Sequence, residues 1–255
     1  MNKENQIENW KYEEQQPFSG WDFSYLDGRM LEEEPDWSYA ARAAELLKQS
    51  SSVVDLDTGG GERFFDLREN WPDKVAATEG YLPNFQLATE RLSPLGVKVW
   101  NIQLADFASM PFEDSEFDLI LNRHSAFNPD EIHRALASDG TFFTQQVHGL
   151  WAYDLLAAFD VKPQWPDATS KKYLPRLIAN GLEIVDNQEW SGQLTFTDVG
   201  AIVYYLKAVP WLVPGFSVNT HLKHLLDLQK QLEDQEVLIF SARKYLIEAR
   251  KTKVQ

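Results

Sequence analysis

From residue 53 to residue 147 the chain alternates short apolar runs with segments of helical spacing. The apolar, β-branched-rich runs fall at 53–56, 74–78, 97–102, 117–121 and 141–147, each the length of a strand. Helical patterns lie between them at 62–70, 82–92 and 129–137, and the Ala/Leu-rich segment 37–49 precedes the first strand. Pro129-Asp130-Glu131 puts a fixed φ and two negative charges in a first turn, and Gly140 supplies a stop. Strand–helix alternation predicts an α/β fold, a mostly parallel sheet with helices on both faces. Right-handed crossovers then bring the C-terminal ends of the parallel strands to one edge, where ligands bind.

Beyond Val147 the alternation loosens. Residues 168–190 read as a helix ended at Gly181 and then a strand; 198–216 as a helix broken by Pro210 and Pro214; 221–234 as an amphipathic helix. The segment 236–251 fits a last strand or a strand–helix mixture. Residues 1–36 read as irregular, yet Trp10, Phe18 and Trp21 make them too aromatic for a disordered tail. The expected layout is an N-terminal cap segment, 1–36, and one domain, 37–255. That domain has a ligand-binding core at about 50–148 and a cap insertion at about 196–232.

Composition narrows the chemistry. The 255 residues are 44% hydrophobic and include no cysteine, which excludes disulfides, thiolate metal sites and a cysteine nucleophile. The net charge of −15 repels phosphate backbones and disfavours a nucleic-acid partner. The tail SARKYLIEARKTKVQ, with five basic residues and one acid, reads as a solvated terminal helix. No apolar run approaches the roughly 18 residues of a membrane span. The polar, acidic start is no secretory signal, so a cytoplasmic location is expected.

The stretch VVDLDTGGGERFFDL, 53–67, carries the most specific signal. Three consecutive glycines cost chain entropy unless something approaches the backbone. A P-loop needs a lysine and a hydroxyl residue after its last glycine, where Glu62 and Arg63 stand. A dinucleotide fingerprint starting at Gly59 would need a glycine where Phe64 stands, and Glu62 opposes a phosphate at the helix N-terminus. A nucleoside ligand without phosphates remains. The next strand ends at Glu79, 20 residues after Gly59, where a carboxylate can accept both ribose hydroxyls. After the third strand, Asp106 can accept an adenine amino group and Phe107 can flank the ring.

In this order, VVDLDTGGGE, VAATEG, ADFASMPFEDSEFDLIL and EIHRALASDGTFFTQQV resemble the successive motifs of the class I S-adenosylmethionine-dependent methyltransferases over residues 50–148. The resemblance implies a Rossmann-like three-layer sandwich with a seven-stranded sheet whose last strand, EVLIFSARKYL, is antiparallel. It implies S-adenosylmethionine as cofactor. Asp55, Asp57, Thr58, Gly59, Gly60 and Gly61 would surround its methionine part, Glu79 and Gly80 its ribose, and Asp106 and Phe107 its adenine. Asn122 and Arg123 would line the transfer site. One departure stands out: Asp57 occupies the family's first glycine position, where its charge either repels the cofactor carboxylate or binds the ammonium group.

Methyl transfer from a sulfonium mainly needs alignment, and a base only where the acceptor loses a proton. His124 is the histidine nearest the expected transfer site and the candidate base, with packing as its other role; His148 is a weaker candidate. His221 and His224 share a helix face without a third ligand, so no metal site is expected. Trp21, Tyr25, Trp211 and Phe216 are candidates to wall an acceptor pocket, with core filling as the alternative. Arg29 would pair with a carboxylate of cofactor or substrate, or with the adjacent acids 32–34. The expectation is a methyltransferase for a small-molecule acceptor. A methyltransferase of RNA or a protein side chain, supported by a basic patch around 243–253, is one alternative, and a non-catalytic adenosyl-binding protein of the same fold is another. Neither an NPPY-type tetrapeptide nor a catalytic cysteine is present, and NRHS follows the fourth strand.

Overall fold

The computed structural model describes residues 3–104 and 109–252. Eight strands form one sheet: β1 Met30–Glu32, β2 Ser52–Leu56, β3 Lys74–Glu79, β4 Lys98–Asn101, β5 Phe117–Arg123, β6 Leu136–Val147, β7 Leu182–Phe196 and β8 Leu238–Lys251. Nine α-helices are seen among the described residues: α1 Lys3–Glu14, α2 Tyr39–Leu47, α3 Glu62–Asp66, α4 Leu82–Leu92, α5 Pro129–Ala135, α6 Tyr153–Ala157, α7 Ser170–Ala179, α8 Val199–Ala208 and α9 Leu222–Gln235. The strand order is β1-β7-β8-β6-β5-β2-β3-β4. The five strands β2 to β6 run parallel, and β8 is antiparallel to both its neighbours.

Alternation along the central strands makes the layers. On β2, Val53 packs with Ala43, Leu47 and Ala88 of α2 and α4, while Val54 faces the opposite way, toward Ile132 of α5 and Leu177 of α7. Successive side chains of a strand point to opposite faces, so a strand apolar on both is covered on both. A third apolar cluster joins α6, α8 and α9 to Phe196, Phe240 and Trp10. The predicted Rossmann-like sandwich is present, with its antiparallel strand at the predicted place.

Three expectations need correction. The sheet has eight strands, because Met30–Glu32 adds an antiparallel edge to β7. The N-terminal segment is not irregular: α1 spans Lys3–Glu14, and its only buried residue is Trp10, too little for an apolar stripe to show in the sequence. The basic tail is no solvated helix. Residues 238–251 form an interior strand, and three of its charged residues are held by partners from elsewhere. Lys244 pairs with Glu32, Glu248 with Arg42, and Lys251 donates to the carbonyls of His133 and Leu136 at 2.8 and 2.7 Å.

Candidate functional site

The C-terminal tips of β2, β3 and β5 converge on the glycine turn. Register places Asp55 beside Ala77 of β3, and Leu56 beside Asn122 of β5. The turn after β2 is pinned to β3: the Asp57 N–H donates to Thr78 Oγ1 at 2.9 Å, and the Thr58 N–H to the Thr78 carbonyl at 2.8 Å. Asp57, Gly59 and Gly61 have φ of +51°, +66° and +81°, a region that favours glycine and that asparagine and aspartate also visit. The motif's missing first glycine is thus replaced by an acid that tolerates the left-handed conformation. Glu62 folds back against Gly60, and Arg91 of α4 holds both the Glu62 carboxylate and the Gly60 carbonyl. An acid after the turn is therefore neutralised within the fold.

Glu79 lies at the mouth of this turn. Its carboxylate accepts from the Gly59 N–H at 2.8 Å and from the Tyr81 N–H at 2.7 Å, and the side chain is buried. Gly80 is pressed against the chain leaving β4: a Cβ there would lie 2.7 Å from the Ile102 carbonyl. Asp55, Asp57 and Glu79 form a cluster of acids. Burial pushes Asp55 up to about 7, offset by the Thr58 hydroxyl and Arg123 and reinforced by Asp57 and Glu79. Burial raises Asp57 to about 6 against the Ser125 hydroxyl bond, and Glu79 to about 7 against its backbone bonds. Asp57 Oδ2 accepts from the Ser125 hydroxyl, whereas Oδ1 is buried without a hydrogen-bond partner.

Asn122 is fully buried. Its Oδ1 accepts from Thr144 Oγ1 at 2.9 Å and from Gln146, and its Nδ2 has no partner. Arg123 is partly exposed at the tip of β5. His124, with φ +59°, is exposed, yet crowding by the protein and then the charges of Arg123, Lys244 and Arg63 hold it well below the usual histidine range. His148 uses its Nδ1 to accept from the Leu150 N–H at 3.0 Å. The described residues on either side of 105–108 are buried Leu104 and exposed Ser109; the Asp106 and Phe107 expectations lie outside the described residues.

Of the aromatic candidates, Trp21 and Trp211 meet at this edge. Their rings touch edge to face at 5.4 Å, and a Cβ on Gly59 would lie 3.2 Å from Trp21 Cδ1. The N-terminal segment thus lays an indole over the glycine turn. Tyr25 packs on Tyr204 at 4.5 Å. Phe216 is buried with Phe159 and His221 in the core under α9. Arg29 binds Glu13 of α1 and Asp198, the N-cap of α8, and not the adjacent acids 32–34. Sequence reasoning passed over Ser125, Arg91 and the Trp37–Gln145 pair. Ser125 stands directly after NRH, but the other contacts join residues 31 and 108 positions apart. No group of side chains suited to a metal occurs among the described residues, and no helix there is long and apolar enough to cross a membrane.

The residues present fit S-adenosylmethionine. Unpartnered Asp57 Oδ1 and Asn122 Nδ2 are an acceptor and a donor for a ligand with an ammonium and a carboxylate, and the crowded acids favour a cation.

Comparison with known proteins agrees with this geometry. A family model described as a methyltransferase domain matches residues 54–144. No curated protein sequence matches the chain. Among solved structures, a candidate methyltransferase of Bacillus halodurans is similar at 18% identity and TM-score 0.60, covering 85% of this chain and 100% of that one. The YcgJ protein of Bacillus subtilis is similar at 16% identity and TM-score 0.57, over 84% and 98%. The [4+2]-cyclase SpnF is similar at 16% identity and TM-score 0.51, over 89% and 87%. The chain has the Rossmann-like fold of the class I S-adenosylmethionine-dependent methyltransferases.

Proposed function

We propose that this protein binds S-adenosylmethionine at the glycine turn and transfers its methyl group to a small-molecule acceptor. The observation that carries this reading is the Glu79 carboxylate, on the strand next to the turn and 2.8 Å from the Gly59 amide. There it can accept a ribose diol beside the turn. When bound, the cofactor supplies a methyl group already activated on sulfur. The chain's own residues bind and orient. Asp57 Oδ1 accepts from the ammonium, Asn122 Nδ2 donates to a carboxylate or an acceptor, and Trp21 with Trp211 covers the turn and excludes water. A small acceptor fits the acidic surface, and the lysines at 244 and 251 are spent on internal partners. Two of the five basic residues behind the RNA or protein alternative are thereby used within the fold, which weakens that alternative.

Isothermal titration with S-adenosylmethionine and S-adenosylhomocysteine tests this. Both are expected to bind, the sulfonium form several-fold more tightly at pH 8 than the neutral product because the site is acidic. A second reading, an adenosyl-binding protein of this fold without methyl transfer, is kept alive by Asp57 in a glycine position. SpnF, a cyclase, has this fold too. Heat with both ligands but no methyl release over a panel of metabolites would favour it. No heat with either ligand would remove both readings.

A further inference from the structure

Two guanidinium groups at the mouth hold no acid. Arg29, Arg42, Arg91 and Arg134 are each paired with a carboxylate. Arg123, at the tip of β5, and Arg63, in the first turn of α3, make no ion pair or hydrogen bond among the described residues. Arg63 is near enough for its charge to act on both Arg123 and His124. Burial and then Arg63 lower the Arg123 pKa, while Tyr39, Glu32 and Glu34 draw it back up, and Asp55 faces it from β2. Glu32 is taken by Lys244, and Glu34 is exposed. In a chain of net charge −15, two arginines without a direct acid partner at the strand ends of a site mark where an anion belongs.

The histidine between them has a defined tautomer. The Trp37 indole N–H, which can only donate, reaches Gln145 Oε1 at 2.8 Å. The Gln145 amide nitrogen therefore faces the other way, 3.0 Å from His124 Nε2. An amide nitrogen also only donates, so His124 Nε2 is the acceptor. The neutral ring then carries its proton on Nδ1, and its one lone pair is already used.

We infer that the methyl acceptor carries an anionic group, a carboxylate or a phosphate, held by Arg63, Arg123 and the Nδ1–H of His124, which acts as a hydrogen-bond donor and not as a base. This rests on the methyltransferase reading of the site. The ends of β2 and β5 are neighbours, Leu56 beside Asn122, so Arg123 and His124 follow one strand end while Arg63 follows the glycine turn after the other; the anion anchors the acceptor beside the turn that holds the cofactor.

Two measurements test it. Nitrogen-15 spectra of the His124 ring between pH 6 and 8 should show a bare Nε2 and a protonated Nδ1; the opposite tautomer, or a cationic ring, overturns the assignment. Phenylacetate, phenyl phosphate and neutral phenylacetamide are then titrated into the full-length protein saturated with S-adenosylhomocysteine. At least one anion should bind about 10-fold more tightly than the amide. R63Q and R123Q should each weaken that anion at least ~5-fold, R123K should recover part of the loss, and the exposed-site control K207Q should change nothing. Melting curves confirm that each variant is folded. The carboxylate and phosphate arms identify the group. Equal binding of the amide, no binding of either anion at millimolar concentration, or an R63Q/R123Q double variant that binds like the wild type overturns the inference. S-adenosylmethionine is titrated into the same preparations: if it binds and the anions do not, only this inference fails, and if it does not bind, the methyltransferase reading fails separately.

Discussion

The Glu79 carboxylate accepts a hydrogen bond from the Gly59 amide at 2.8 Å, joining the tip of the second parallel strand to the glycine turn after the first. The same carboxylate accepts from the Tyr81 amide at 2.7 Å, so one buried acid organises two backbone segments.

Glu79→Ala removes the partner of both amides and the proposed ribose acceptor. The expected outcome is a loss of about 1–3 kcal/mol of stability, the cost of leaving such groups unpaired. S-adenosylmethionine binding should fall below detection in calorimetry. Glu79→Gln retains one carbonyl acceptor, so it should fall between the two in both denaturation and titration. Wild-type affinity in Glu79→Ala would refute the ribose role.

The acid cluster sets a pH dependence. Asp55, Asp57 and Glu79 are raised in the folded protein to about 7, 6 and 7 from ordinary values of 3.8, 3.8 and 4.5. The native state then holds more protons than the unfolded chain between those limits. The contribution of these groups is fully present below about pH 4 and is lost as pH rises through 6 to 7. Asp57→Asn keeps a side chain that tolerates positive φ and can still accept from Ser125, but removes one charge. Urea unfolding should find it more stable than wild type by about 1–3 kcal/mol at pH 8 and equal to it at pH 4. A constant difference across that range would show that the carboxylate is not destabilised by its setting.

Gly59→Ala meets two obstacles at one position. A left-handed backbone at φ +66° costs a residue with a Cβ roughly 1–2 kcal/mol, and that Cβ would lie 3.2 Å from the Trp21 ring. The variant should melt lower and show a red-shifted tryptophan emission as the indole is pushed off the turn. Trp21→Ala should instead keep cofactor affinity within a few-fold and speed cofactor release about 10-fold in stopped-flow displacement, because it removes a cover and not a ligand. Unchanged release would place the indole outside the cofactor's path.

Arg29 ties three elements together. Its guanidinium reaches Asp198 Oδ1 at 2.7 Å and Glu13 Oε1 at 2.9 Å, and Asp198 also caps α8 by accepting from the Ala201 amide at 2.8 Å. Arg29→Ala should lower stability by about 1–3 kcal/mol, partly buried pairs being more costly to break than surface ones. Protection from hydrogen exchange should fall first in α1. Loss spread evenly over the sheet would show that the arginine serves the whole fold and not the N-terminal segment.

The amino-acid order by itself determined the α/β alternation, the glycine turn and the acid 20 residues on, because each depends on local periodicity or on spacing along one crossover; the antiparallel last strand came only from the family resemblance. It also placed Trp21 and Trp211 among the aromatics of a cap. What it left open depends on contacts between distant residues. Nothing local shows that the charges of 238–251 would find Glu32, Arg42 and two carbonyls, and so a strand buried on both sides read as a solvated helix. Nothing local separates Phe216, which fills the core, from Trp211, which reaches the mouth, or shows that Trp37 would set the histidine tautomer through Gln145. Spacing along the chain decides which element forms. The direction of a side chain, and hence its partner and its charge state, is settled only when the elements pack.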